Sequence, residues 1–389
     1  MSESDDILVN AVSFSSGSLL REFHLLKELP DVESTNQYHV LCTSEVAERL
    51  GDTDPVINLY PVVPKENGFL QPIQTPRRIF WENVDLLRWA RRIDPDLLYF
   101  PSHISNVLNF TPKIVAVRNI APFYPSAQPN RTLRESARLR ALRIATRLSV
   151  RQAKRIVFFT QATLDRVAEY IPSVTEKAVV IPHGVPEGFG PVEPDPEILA
   201  SYNLPEEYLL SVSNVARYKN YLQLVEGYAK ACEQSDGVPD LCLVGKVIDD
   251  GYSEELDAKI RSLGIADRVH RIGFVDHGDL PHLHSASTGF LFSSACENAP
   301  ITLIEALACG SAIASSNRTS MPEICGEAAL YFDPYRPDSI ADSIGTLATE
   351  ADTRDALEDA ALDRAKEFSW KDSARKTCSV FDEVIREGV

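Results

Sequence analysis

Short apolar runs alternate with longer helical patterns along this 389-residue chain. The runs have the length of buried strands, and helical stretches lie between most of them. Strands that alternate with helices in this way form parallel sheets covered by helices on both faces, so the chain is predicted to be an α/β protein. The predicted strands are residues 7–12, 38–42, 97–101, 113–118, 155–160, 178–182, 208–213, 241–245, 269–274, 289–293, 312–315 and 330–332.

One segment interrupts the alternation. Residues 186–205 are rich in proline and contain two glycines, a composition typical of a linker. Two doubly wound, Rossmann-like domains are expected on either side, at residues 1–185 and 206–370, and a helix at 371–389 is expected to pack back on the first domain. Ligands of open parallel sheets bind beyond the carboxyl ends of the strands. The functional site is therefore expected in a central cleft that both domains face.

The charge of the chain is negative overall but positive in one segment. A net charge of −17 and a pI near 5.0 argue against a nucleic-acid-binding protein, which would be basic. Residues 131–155 hold nine arginines and lysines against Glu135 alone, a net charge of +8. Two interpretations of this Arg-rich segment stay open: an amphipathic helix that binds anionic lipid headgroups or a lipid-linked diphosphate, and a solvated helix that packs on the sheet.

The cellular location is predicted from what the chain does not contain. Its apolar runs are shorter than the ~18–20 residues of a spanning helix, and its first residues are acidic where a signal peptide is basic. A cytoplasmic protein is expected, peripheral on the inner face of the membrane if the Arg-rich segment binds lipid. Its seven cysteines form no CxxC pair, which indicates reduced, packed thiols.

The stretch most informative about chemistry is ENAPITLIEALACG, residues 297–310. Pro300 is expected to open a helix that Gly310 terminates, and Glu305 is its only charged residue. A buried carboxylate needs donors, which could be a core arginine, backbone amides or the two hydroxyls of a ribose. Glu297 precedes the helix, so two carboxylates bracket first-turn amides that attract phosphate. The sequence therefore predicts a site for a sugar, a diphosphate and a ribose, in that order.

The two glutamates, separated by seven residues, resemble the E-x7-E motif of retaining nucleotide-sugar glycosyltransferases of family 4, which have the GT-B fold. The resemblance is dense over about residues 178–375 and sparse before them. It implies a GT-B type fold and a retaining reaction that needs no metal and no tightly bound cofactor, with a UDP- or GDP-sugar as co-substrate. Further matching segments follow in the family's order: IPHG at 181–184, SVSNVARYKN at 211–220, LVG at 243–245, IGFV at 272–275, PEICGEAALYFDP at 322–334 and FSW at 368–370.

The resemblance also implies roles for residues of the second domain. Glu297 would contact the donor sugar, and Glu305 would hold the ribose hydroxyls. Lys219, in the loop after the first strand of this domain, would bind the diphosphate. An arginine usually helps it; Arg217 is the candidate here, although the family's common pattern places the arginine further upstream, where this chain has Asn214. The other residues assigned to the diphosphate and ribose are Asn298, Ala299, Ile301 and Thr302.

The base and acceptor positions are less typical of the family. By analogy, Val275 and Gly245 would line the base. In the first domain the loop after the first strand has one glycine, Gly17, where two are usual. The histidine that usually lies next to the reacting sugar is replaced by Arg118, which could contact the sugar or phosphate, and His103 is the alternative.

The leading hypothesis is a retaining glycosyltransferase that moves a hexose-type sugar from a nucleoside diphosphate to a glycan or lipid-linked acceptor. Such a reaction would serve surface polysaccharide or glycoconjugate synthesis. The alternative is a non-catalytic partner that binds a nucleotide sugar or glycan within an assembly complex. It stays open because the first domain lacks the usual histidine and one of the two glycines.

Overall fold

The computed structural model describes residues 4–12, 16–32, 35–51, 54–63, 81–102, 104–106, 111–125 and 132–387. The chain divides into two compact units. The first unit comprises Met1–Phe123, Arg131–Gly184 and Ser369–Val389, and the second comprises Tyr124–Asn130 and Val185–Phe368.

A parallel sheet forms the centre of the first unit. Its strands are β1 (Asp6–Asn10), β2 (Gln37–Thr43), β3 (Ile57–Val63), β4 (Leu97–Phe100), β5 (Lys113–Ala116), β6 (Arg155–Phe158) and β7 (Ala178–Val180). Their order in the sheet is β3-β2-β1-β4-β5-β6-β7, so the direction of winding reverses between β1 and β4. The helices between the strands are α1 (Ser16–Glu28), α2 (Ser44–Leu50), α3 (Leu86–Ile93), α4 (Leu133–Gln152) and α5 (Gln161–Ala168).

Strand β3 was missing from the sequence prediction. Its sequence, INLYPVV, is apolar but contains Pro61, and a proline argues against a central strand because it cannot donate to the ladder. The structure places β3 at the edge of the sheet, paired only with β2 among the described strands. At an edge, a residue without an N–H can face away from the partner strand, which is why the proline is tolerated.

The second unit repeats the architecture. Its strands are β8 (Tyr208–Val212), β9 (Asp240–Val244), β10 (Val269–Gly273), β11 (Gly289–Phe292), β12 (Ile313–Ser316) and β13 (Ala329–Phe332). The sheet order is β10-β9-β8-β11-β12-β13, so the winding reverses between β8 and β11. The helices are α6 (Pro196–Ser201), α7 (Tyr221–Gln234), α8 (Asp250–Ser262), α9 (Leu280–Ala286), α10 (Ile301–Ala308), α11 (Met321–Cys325), α12 (Pro337–Thr349) and α13 (Ala351–Ala365).

The two central strands of the second unit are buried along their whole length. Every residue of β8 and of β11 is buried, as expected for a parallel sheet covered by helices on both faces. All strand pairs are parallel among the described residues. The predicted α/β class with two doubly wound sheets is therefore confirmed.

A last helix, α14 (Trp370–Arg386), packs within the first unit. The Phe381 ring lies 5.2 Å from that of Tyr99 in β4. At the start of α14 the backbone passes so close to Gly184 that a Cβ there would lie 2.1 Å from the Trp370 nitrogen. Gly184 is thus needed for this contact.

The described residues contain neither a membrane-spanning helix nor a metal-binding cluster. None of the described helices is both long and apolar enough to span a membrane. In the same part of the chain, no cluster of three or more His, Cys, Asp or Glu side chains is suited to hold a metal ion. The seven cysteines, all described, form no disulfide, and five of them are buried.

Candidate functional site

The loops after β8 and β11 meet at the carboxyl edge of the second sheet. A short 3₁₀ turn, Arg217–Lys219, follows β8. The Ala295 amide donates to the Tyr218 carbonyl at 2.8 Å, and the Ser293 hydroxyl donates to the Lys219 carbonyl at 2.8 Å. These bonds fix the two loops at the point where the winding of the sheet reverses, which is where open α/β sheets bind their ligands.

Lys219 and Glu297 form an ion pair at this point. The Lys219 Nζ lies 2.6 Å from Glu297 Oε1, and their side chains are 12% and 15% exposed. Ser294 donates a second hydrogen bond to the same carboxylate oxygen at 2.7 Å. Burial is the largest single influence on the Lys219 ammonium and lowers its pKa, but the charge and hydrogen bond of Glu297, together with Tyr218 and Tyr221, outweigh it, so the pKa is raised. The structure thus brings together a cation and a carboxylate that lie 78 residues apart in the sequence.

Thr319 supports Glu297 and was not found from the sequence. Its hydroxyl accepts a hydrogen bond from the Glu297 amide at 3.1 Å, and the neighbouring Ser320 hydroxyl donates to the Glu297 carbonyl at 3.1 Å. Thr319 has a φ of +48°, which is uncommon for a β-branched residue. Such backbone strain persists where the surroundings enforce it, often at functional sites. No local sequence pattern marks this residue.

Glu305 is buried and has a histidine as its partner. Its side chain is 5% exposed, and His277 Nε2 lies 2.8 Å from Glu305 Oε1. His277 itself is 44% exposed, in the loop after β10, and its ring lies 4.7 Å from Phe189. The partner is a histidine, which was not among the donors expected for this carboxylate. Because His277 reaches solvent, a ligand could approach the carboxylate beside it.

The first turn of α10 lies between the two glutamates in sequence, and Glu305 is a residue of the helix itself. Pro300 precedes the helix as its N-cap rather than opening it, and Ile301 is the first helical residue. The Leu303 amide donates to the Pro300 carbonyl at 3.1 Å. The other residues assigned here are half-buried in or next to the first turn: Asn298, Ala299, Ile301 and Thr302.

Arg217 points to a different set of carboxylates. It shares a turn with Lys219, but its guanidinium donates two hydrogen bonds to Glu255, one of them 2.9 Å long. It also lies 3.6 Å from Asp249. Its side chain is 51% exposed, and the hydrogen bond to Glu255 raises its pKa. The structure therefore does not bring Arg217 to the Lys219–Glu297 pair.

Two of the residues predicted beside the base have structural reasons for their identity. Gly245 has a φ of +141°, and a Cβ there would lie 2.1 Å from the Ser213 carbonyl oxygen and 3.1 Å from the Asn214 amide. Any side chain would therefore separate the loops after β8 and β9. The Val275 side chain is only 5% exposed and packs in the core, whereas its neighbour Phe274 is 57% exposed. Phe274 is therefore the more exposed of the two side chains at this position.

The first unit places Arg118 beside a buried ionic cluster. Arg118 Nη1 lies 3.5 Å from Glu22 Oε1, and its side chain is 16% exposed. Glu22 also binds Arg21, which donates to the Tyr99 hydroxyl at 2.9 Å. Arg21, Glu22 and Tyr99 are at most 1% exposed. Burial raises the pKa of Tyr99 to about 12, although Arg21 opposes the shift, and burial lowers the pKa of Arg118 to about 10.

Of the remaining two acceptor-side candidates, one lies in a helix and the other is outside the described residues. Gly17 was predicted in the loop after the first strand, but it is the second residue of α1, which already begins at Ser16. His103 lies outside the described residues.

Known glycosyltransferases resemble this chain in sequence and in fold. Residues 196–364 match the family model described as glycosyl transferases group 1. A serotype-specific mannosyltransferase from Escherichia coli is 26% identical over 243 residues, which cover 60% of this chain and 29% of that protein. The chain thus spans less than a third of the length of the relatives that match it first.

Two solved structures show the same fold. Sucrose-phosphate synthase from Thermosynechococcus elongatus has a TM-score of 0.76 at 16% identity, over 98% of this chain and 100% of that one. Anabaena HepE in complex with UDP-glucose has a TM-score of 0.72 at 17% identity, over 97% and 99% of the two chains. The fold is of the GT-B type of glycosyltransferases. The match to the group 1 glycosyl transferases, at residues 196–364, lies within the second unit.

Proposed function

We propose that this protein transfers a hexose, with mannose as the first candidate, from a nucleoside diphosphate sugar to a glycan or lipid-linked acceptor. The acceptor would belong to a surface polysaccharide or glycoconjugate. The observation that carries this proposal is the Lys219–Glu297 ion pair at the switch point of the second sheet, next to the start of α10. Mannose is put first because a matching relative is a mannosyltransferase, and a nucleotide sugar because a structural neighbour holds UDP-glucose.

The proposed chemistry is a displacement at the anomeric carbon. The bond from this carbon to the diphosphate oxygen breaks, and the departing diphosphate keeps the electron pair. The acceptor hydroxyl forms the new bond on the same face of the sugar, and its proton passes to the departing phosphate. Configuration is thereby retained.

The residues of the second unit take distinct roles in this reaction. Lys219 and the first amides of α10, at Ile301 and Thr302, stabilise the charge that develops on the diphosphate. Glu297, now paired with Lys219, turns to hydroxyls of the donor sugar when the diphosphate becomes the partner of the lysine. Glu305 accepts from the ribose hydroxyls while His277 keeps its carboxylate oriented.

A donor screen tests the proposal directly. The purified chain is incubated with GDP-mannose, UDP-glucose and ADP-glucose, and both the thermal unfolding midpoint and the release of nucleoside diphosphate are measured with a panel of acceptor glycans. One donor should raise the midpoint and release its nucleotide only when an acceptor is present, with or without EDTA. Nuclear magnetic resonance of the product should show the anomeric configuration of the donor. Binding without release under all conditions would favour the non-catalytic partner.

Helix α4 offers a place for the acceptor's membrane. Three of its apolar side chains are exposed: Leu133 at 92%, Ile144 at 62% and Leu148 at 44%. At 100° per residue they fall within about 60° of one another on the helix surface. Exposed arginines flank this stripe on both sides, namely Arg134, Arg138, Arg140 and Arg147, and the exposed Arg151 lies within it.

Not all arginines of the Arg-rich segment are available to an external partner. Arg143 donates to the Pro122 carbonyl at 3.0 Å and lies 4.3 Å from the centre of the Tyr170 ring, and Arg155 pairs with Glu383. These two arginines are therefore held by the protein. The others lie beside or within the apolar stripe, which is the pattern of a helix that lies in the interface of an anionic bilayer.

Sedimentation with lipid vesicles tests this position. The chain should bind vesicles that contain phosphatidylglycerol and not neutral ones. Changing Arg140, Arg147 and Arg151 to Glu should weaken binding more than about tenfold, since each cation near such a surface contributes about 1 kcal/mol. Arg375→Glu, at an exposed position outside α4, is the matched control. Unchanged sedimentation of the triple variant would reject the lipid surface.

A further inference from the structure

A pocket of about 450 Å³ opens in the first unit beside the edge strand β3. Its walls include Tyr60 and Pro61 of β3, and Trp81, Asp85 and Trp89 from the segment before and within α3. The volume lies in the range of about 300–1,000 Å³ that is usual for small-molecule sites. None of these residues belongs to the site of the second unit.

The pocket lies towards the carboxyl ends of the strands, where open parallel sheets bind their ligands. Tyr60 and Pro61 belong to the carboxyl-terminal half of β3. The Trp81 indole donates to Asn10 Oδ1 at 3.4 Å, and Asn10 is the last residue of β1. Trp81 thus connects the pocket to the carboxyl end of the strand at which the winding of the sheet reverses, the end that carries ligands in open parallel sheets.

The aromatic wall of the pocket is held in place before any ligand arrives. The rings of Tyr60 and Trp89 lie 5.2 Å apart and are inclined by 53°. The Tyr60 hydroxyl is 3.0 Å from His39 Nδ1, and His39 Nε2 is 3.1 Å from Asp6 Oδ1. Trp81, only 6% exposed, forms a further apolar surface. Because a hydrogen-bonded chain fixes Tyr60, little side-chain entropy is lost when a ligand contacts it.

The polar wall comes from an unusual turn. Residues Trp81–Asp85 form a π-helical turn that continues directly into α3. Such turns are rare and occur frequently at functional sites. Asp85 and Arg88 meet at 2.9 Å, with side chains 31% and 72% exposed. A carboxylate and a guanidinium at the rim together offer acceptors and donors to neighbouring hydroxyls.

We propose that this pocket binds a pyranose residue of the acceptor glycan. One face of a pyranose presents C–H bonds, which suit the negative face of an aromatic ring, and its rim presents hydroxyls for Asp85 and Arg88. An apolar lipid chain would leave that ion pair without a role. The inference rests on the proposed function for the identity of the ligand as an acceptor, but binding itself needs neither donor nor turnover.

Tryptophan fluorescence of the full chain gives a direct test. The chain has three tryptophans, two of which line the pocket, and the third, Trp370, is 5% exposed. The probes are α-linked mannotriose, maltotriose and chitotriose, titrated without nucleotide. At least one should change the fluorescence in a saturable manner. No saturable change with any probe, or a change only with a prenyl alcohol, would overturn the proposal.

Variants locate the binding site. Trp89→Ala and Asp85→Asn should each lower the affinity for the tightest-binding probe about five- to tenfold, and Trp89→Phe should recover part of that affinity. Tyr335→Ala, at an exposed aromatic of the second unit, is the control and should change nothing. Since Trp89→Ala could disturb folding, Arg88→Ala, at an exposed position, gives a second reading. Equal affinity of all pocket variants would place the probe elsewhere.

Activity separates this inference from the proposed function. With an identified donor and acceptor, the pocket variants should raise KM for the acceptor and leave kcat nearly unchanged. If the pocket variants transfer sugar with unaltered KM, the acceptor does not bind in the pocket, but the proposed transferase activity stands. If the pocket binds glycan but no sugar is transferred under any condition, the glycan site stands and the proposed transferase activity is wrong.

Discussion

The two sheets reverse their winding at equivalent places but surround these places differently. In the second unit, Lys219 and Glu297 come from loops beyond the strand ends and keep 12% and 15% exposure. In the first unit, Arg21 and Glu22 lie on α1, Arg21 donates to Tyr99 within β4, and all three are buried almost completely. One switch point carries charges that solvent reaches, and the other has its charges enclosed.

The difference separates binding from stability. A buried ion pair contributes little net stability when intact, but removing one partner leaves an uncompensated charge in a low-dielectric interior. The first-unit cluster is therefore expected to govern folding, with Arg118 as its one partly exposed member among the four residues. The second-unit pair can exchange its partner for a ligand at a lower cost, which is what a diphosphate site requires.

The largest effect is expected from Glu22→Gln. The change leaves Arg21 buried without its carboxylate, which should lower the free energy of unfolding by about 3–5 kcal/mol. Urea unfolding followed by circular dichroism measures the loss. Glu383→Gln, which removes an exposed partner of Arg155 in the same unit, should cost less than about 1 kcal/mol. Equal losses in the two variants would show that the cluster is not enclosed in solution.

Lys219→Ala should act on turnover instead of folding. Losing the cation that faces the departing diphosphate should lower kcat about 100- to 1,000-fold, with a thermal midpoint close to that of the wild type. Lys230→Ala removes the exposed partner of Asp338 and should leave kcat unchanged. A Lys219→Ala enzyme with normal kcat would refute the role of the switch-point pair in catalysis.

The same contrast explains how far the sequence alone could predict this molecule. Alternating apolar and helical patterns are local properties, and they identified every strand except the proline-containing β3. Glu297 and Glu305 could be singled out because they interrupt an apolar helix and its approach. The Lys219–Glu297 bond, the strained Thr319 and the contact of His277 with Glu305 depend on which loops the sheet order brings together. No residue pattern encodes that order directly.

A prediction for the arginines shows the same limit. Their spacing in the Arg-rich segment favours a single cationic face. The structure divides them, because Arg143 lies against the Tyr170 ring and the Pro122 carbonyl, and Arg155 pairs with Glu383 on α14. Which cations remain for an external partner was therefore decided by packing, not by periodicity.

His277→Ala should have an intermediate effect. His277 orients the Glu305 carboxylate through a bond of 2.8 Å, and its loss should weaken donor binding about tenfold or less, with kcat little changed. Isothermal titration with the donor found in the screen measures the change. His282→Ala, on α9 of the same unit, serves as the control. An unaltered dissociation constant would mean that Glu305 is positioned by the helix alone.

The smallest effect is expected from Arg217→Ala. Its guanidinium already binds Glu255 and lies 3.6 Å from Asp249, so assisting the diphosphate would require it to leave two carboxylates. Exposed ion pairs contribute about 0–1 kcal/mol. The equilibrium constant of unfolding and kcat should therefore each change less than about fivefold. Kinetics of Arg217→Ala beside Glu255→Gln distinguish two cases. If Glu255→Gln increases kcat while Arg217→Ala lowers it by more than tenfold, Arg217 is a second diphosphate ligand restrained by Glu255, and the switch-point site contains two cations. If neither variant changes kcat beyond that limit, Lys219 and the amides of α10 are sufficient to stabilise the departing group.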